Sequence, residues 1–165
     1  MQGTINFLGI FILILILGAC QEQEETVALE SSTYTMHRAN FNPSQGEVIV
    51  TELSPSSLLI EIELNNTDSQ GSHPAHLHFG SVREVGELAF SLNPVNGETG
   101  KSSTTLDKVI LSNGEMLTYD RFLELDGSIK VHMNDNFFKH MVLSYANVGK
   151  NEQYFFDGVA VCTGH

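Results

Sequence analysis

The run His73-Pro74-Ala75-His76-Leu77-His78-Phe79-Gly80 sets two imidazoles two residues apart. On a strand such residues share a face and lie about 6.6 Å apart along the chain, so His76 and His78 point one way while Leu77 and Phe79 point into a core. The segment Ile129-Lys130-Val131-His132-Met133 repeats the phase, with Ile129, Val131 and Met133 core-facing and His132 on the other side. If the two strands are brought together, His76, His78 and His132 form a three-histidine site on the outer face of a barrel. Imidazole donors suit copper or zinc. His73 precedes Pro74, which biases it to an extended conformation at the strand start, where it would cap that site as a further ligand. The competing reading is that these are solvated histidines on polar strand faces, with no ligand at all.

Other reactive side chains have less context. His140 follows Phe137-Phe138-Lys139 and becomes a ligand only if a short helix folds toward His132. His37 and His165 read as exposed bystanders. Cys162 sits among Val159, Ala160 and Val161 and reads as a small hydrophobe. Glu61 and Glu63 read as a solvated strand face. No Ser-His-Asp set, phosphate-cradling glycine loop or paired-carboxylate arrangement stands out.

The elements that must position the histidines have a period of two from Tyr34 onward. Leu58, Ile60, Ile62 and Leu64 alternate with Glu61 and Glu63, the pattern of a strand with one face in a core and one in water. Further strands are expected over 46–53, 75–79, 87–92, 103–111, 128–133, 141–146 and 153–162. Asn96-Gly97, Asn113-Gly114, Asp126-Gly127 and Asp157-Gly158 supply turn chemistry between them. Two short helices are expected, over 118–125 and 135–140, with Asn134 or Asp135 capping the second. Seven or eight short strands predict an all-β, antiparallel Greek-key sandwich or barrel.

The chain opens differently. From Phe7 to Leu17 every residue is apolar except one Gly, a length that suits a signal sequence and falls short of the ~20 residues of a spanning helix. It ends in Leu17-Gly18-Ala19-Cys20, which resembles a bacterial lipobox, although residues 1–6 hold no Lys or Arg. The resemblance implies cleavage after residue 19 and a lipid on Cys20. An ordinary secretory signal or an uncleaved anchor is the other reading. The stretch Gln21-Glu22-Gln23-Glu24-Glu25 and the polar residues up to 32 read as an extended tether. Acidic residues directly behind the cysteine also resemble the surface-export signals of Bacteroidetes lipoproteins. The organisation expected is thus a signal peptide over 1–19, a tether over 20–32 and one domain over 33–165. With Cys20 lipidated, Cys162 has no partner for an intramolecular disulfide, and stability must come from packing. The formal charge of -12 repels phosphate backbones and argues against a nucleic-acid partner.

A family resemblance rests on the same residues. His73 to Gly80, then Gly86-Glu87-Leu88-Ala89-Phe90-Ser91-Leu92-Asn93-Pro94-Val95-Asn96-Gly97-Glu98-Thr99-Gly100-Lys101-Ser102, then Asp126-Gly127-Ser128-Ile129-Lys130-Val131-His132 resemble, in order, a chordin-type (CHRD) domain of bacterial lipoproteins. This implies an exported immunoglobulin-like or dismutase-like β-sandwich with no established general activity. His76-Leu77-His78-Phe79-Gly80 and Val131-His132 are also similar to the copper-ligand strands of copper-zinc superoxide dismutases. That similarity implies a copper that alternates oxidation states to disproportionate superoxide. Yet no histidine lies between His78 and His132, so an imidazolate bridge and a zinc-ligand loop have no residues there, and no arginine follows Arg121. The expectation is a lipid-anchored envelope module at the outer membrane or cell surface. It is non-catalytic, with a metal site at His76, His78, His132 and His73, a protein partner the sequence leaves unnamed, and a copper-dependent redox enzyme as the alternative.

Overall fold

The computed structural model describes residues 29–39, 42–67, 71–84, 86–134, 136, 138 and 140–151. Among these are eight strands: β1 (Ser31–Arg38), β2 (Gln45–Ser54), β3 (Ser57–Asn65), β4 (Ser72–Phe79), β5 (Leu88–Asn96), β6 (Lys101–Asp107), β7 (Asp126–His132) and β8 (Val142–Gly149). One helix, α1 (Tyr119–Leu123), lies between β6 and β7. Every strand pairing is antiparallel, and the order across the sheet is β5-β4-β7-β8-β1-β2-β3-β6. Strands β1, β2 and β3 are sequential neighbours. The chain then crosses to β4, pairs it with β5, returns to lay β6 beside β3, and crosses again to lay β7 beside β4. These crossings make the predicted Greek key.

The barrel is nearly closed. Across the seam between β5 and β6, side chains stand in for a ladder. The Asn93 N–H donates to Thr104 Oγ1 (2.9 Å), Asn93 Nδ2 donates to the Ser103 carbonyl (2.8 Å), and Ser102 Oγ donates to the Asn93 carbonyl (2.7 Å). Pro94 lies here, inside β5. It has no N–H to give, and the β4 partners shift register opposite it, between His73 and Ala75.

Alternation in β3 works as the sequence predicts, with Leu58, Ile60, Ile62 and Leu64 buried. Burying each such side chain is worth about 1.5–3 kcal/mol. They meet Val48 and Val50 of β2, Tyr34 and Met36 of β1, Leu77 of β4, Ile129 and Val131 of β7 and Ala146 and Val148 of β8. The helix begins where Thr118 accepts the Arg121 N–H on its hydroxyl, a capping arrangement. It sets Phe122, fully buried, edge-on to Tyr34 with ring centroids 5.9 Å apart.

Several boundaries differ from expectation. Ser31 and Ser32, assigned to the tether, already belong to β1, because Ser31 and Ser32 pair with Thr51 and Val50. Strand β6 ends at Asp107 rather than 111, since Lys108 turns to φ 51°. Asp126-Gly127, expected as a turn, opens β7, and β5 runs through the Asn-Pro-Val-Asn stretch to Asn96. In place of a helix after Asn134, the Asn134 side-chain carbonyl accepts the backbone N–H groups of Asn136 and Phe138, an alternative that asparagine offers the backbone over a helix. The expected strand over 153–162, Cys162, His165, Cys20 and the signal segment lie outside the described residues.

Candidate metal centre

Strands β4 and β7 are adjacent and antiparallel, with His76 opposite Lys130 and His78 opposite Ser128. In this register His132 sits one step diagonally from His76, which is within reach for side chains on one face. The His76 ring lies 5.0 Å from that of His132 and 5.9 Å from that of His78, centroid to centroid. One ring nitrogen from each of the three comes within 4.8 Å of the others. Two nitrogens sharing a tetrahedral metal at about 2.0 Å each would lie about 3.3 Å apart, so a modest inward rotation of the rings completes a three-nitrogen set.

The face that carries them is covered. His78 has no exposed surface, His132 is 2% exposed, and His76 is half-buried. The solvated-histidine reading is therefore excluded for His78 and His132, and the site is not on an open outer face as the alternation predicted. Over His78 lies the connection 80–87, described but for residue 85, which reaches back to β4, β7 and β8. It is pinned where it leaves β4, by Phe79 N–H to the Glu87 carbonyl (3.0 Å) and Gly80 N–H to the Asp126 carbonyl (2.8 Å). Val82 is fully buried beneath it, in a small second core with Ala39, Val142 and Tyr145.

Three side chains of the sheet hold this connection from below. Asn147 Oδ1 accepts the Val82 N–H (2.9 Å), Lys130 Nζ donates to the Glu84 carbonyl (3.2 Å), and His78 Nδ1 lies 3.2 Å from the Gly86 carbonyl. A carbonyl can only accept, so Nδ1 of His78 carries the proton and its lone pair sits on Nε2, the tautomer a metal ligand needs. Burial pushes the His78 pKa down to about 4. The Gly86 carbonyl opposes that shift, and the nearby Lys130, His76 and His132 add to it. His78 is thus neutral and ready to coordinate at ordinary pH.

His73 does not join the others. Three residues before His76, it has the opposite parity and faces inward with Ala75 and Leu77, where it is 2% exposed. Its Nδ1 lies 2.8 Å from the Met133 carbonyl. Met133 is only half-buried, because β7 ends at His132, at a register shift against β8. His37 stacks 5.6 Å from Tyr145, and His140 is exposed. Sequence reasoning missed Lys130, which is fully buried beside the histidines. Its phase, shared with His132, was legible, but a lysine in that phase reads as solvated. Asn147 and Val82 gave no signal of their own.

No family model, curated protein or solved structure matches the chain.

Proposed function

We propose that this chain is a lipid-anchored, chordin-type module of the bacterial envelope that binds a divalent metal ion, copper or zinc, through His76, His78 and His132. Its role is binding rather than catalysis. The observation that carries this reading is the convergence of three imidazole nitrogens within 4.8 Å of one another on a covered face. Burying two imidazoles beside a third that is half-buried is costly, and a shared cation offsets that cost by using their lone pairs. Burial of His78 and His132 also favours occupancy over turnover, because a catalytic metal keeps a position open to substrate.

The test is titration calorimetry with zinc and with copper on the metal-free full-length chain, beside a variant in which all three histidines are alanine. Binding of one ion per chain in the wild type and loss of it in the variant is expected. Replacing His76 alone, the half-buried member, should weaken binding by more than the 10–100-fold that loss of an outer-sphere partner costs. Undiminished binding in the triple variant would remove the centre.

A further inference from the structure

The connection 80–87 does more than lie over His78. Its backbone is tied to a ligand, since His78 reaches Gly86 through Nδ1 while its other nitrogen faces coordination. A second tie runs from Lys130, opposite His76 in the ladder, to Glu84. A third runs from Asn147, opposite Ser128, to Val82. Gly80 and Gly86 bracket the segment with positive φ angles of 79° and 38°, a region that glycine enters without the cost a side chain would bring. At Gly86 a side chain would also run into the Phe79 carbonyl.

We propose that the segment 80–87 is a closing strap whose order is coupled to occupancy of the histidine centre, with Asn147 as the residue that latches it. The proposal rests on the metal reading above. The physical link is the His78 ring. Coordination at Nε2 draws electron density from the ring and makes its Nδ1–H a stronger donor to the Gly86 carbonyl, so the bound ion tightens the strap from within. Linkage is reciprocal: a strap that favours the bound ion is favoured by it to the same factor. Because His78 is fully buried when the strap is down, an ion gains or leaves its Nε2 when Val82 lifts from its pocket beside Val142 and Tyr145. The strap therefore sets the rate of exchange, and the histidines supply most of the affinity.

The experiment is amide hydrogen exchange of the full-length, detergent-solubilised chain with and without zinc, with calorimetry on the same samples. Zinc should slow exchange in the 80–87 peptide by about tenfold or more, the scale of an outer-sphere contact, and leave the β2–β3 peptide unchanged. In Asn147→Ala, zinc release to excess chelator should be faster by a similar factor, while the heat of binding at His76, His78 and His132 persists. If zinc binds and the 80–87 amides exchange as before, the strap is not coupled and the proposal falls while the centre stands. If calorimetry of the wild type shows binding of neither zinc nor copper, both fall together.

Discussion

A histidine that stays neutral when folded makes stability depend on pH. His78 has its pKa lowered to about 4, whereas in the unfolded chain it takes up a proton near the ordinary value of about 6.5. As pH falls below about 6.5 the unfolded state gains a proton that the folded state refuses. The metal-free protein therefore loses stability from about pH 6.5 down to about pH 4, by at most about 3 kcal/mol, and the loss levels off below that. Urea unfolding at pH 7 and pH 5 should show the drop, and His78→Leu should flatten it. An unchanged midpoint in the wild type would place the proton elsewhere. The residues of the centre were legible because parity on a strand is a strong rule: His76, His78 and His132 share a phase and end on one face. The burial of His78 was not legible, because it involves a connection that returns over it and not its own strand. His73 failed as a ligand by the same parity rule, three residues from His76 and so on the other face.

At the scale of elements, alternation found β3 and most of β2, whose outer faces meet water. It served β7 and β8 less well, since both have their two faces covered and lack the polar contrast that alternation needs. Strand β1 was not among the expected strands, because Ser31, Ser32 and Thr33 are polar and only pairing with β2 makes them a strand. The seam between β5 and β6 was invisible, being made by side chains. It offers a test of how the barrel closes. Thr104→Val keeps the shape of a side chain that is nearly buried but leaves the Asn93 N–H without its acceptor. The expected cost is about 1–3 kcal/mol in urea unfolding. A loss near zero would show that the seam is already open to water. Within the core, Phe122→Ala empties the space beneath Tyr34 and should cost about 3–5 kcal/mol.

For the whole molecule, two expectations separate the functional readings. Copper-loaded protein should consume superoxide no faster than free copper, because the sequence offers no histidine between His78 and His132 to bridge two metals. Consumption well above free copper that disappears in His76→Ala would promote the enzyme. Cys20→Ser should release the domain from the membrane fraction and leave its unfolding midpoint unchanged, since β1 begins eleven residues later at Ser31. Retention of the variant on the membrane would sink the lipid anchor.

The pairing of β1 with β8 joins His37 to Tyr145 and Arg38 to Ser144, so a strand near the start of the chain waits for one near its end. Contacts of such sequence separation must meet the entropy of a long loop before they return anything, which places folding in the slow range of about milliseconds to seconds. A chain that emerges from a narrow passage cannot complete this barrel until almost all of it is through. That delay suits the proposed export: the same pairing that unites the two ends in the finished barrel keeps the chain threadable until it has arrived.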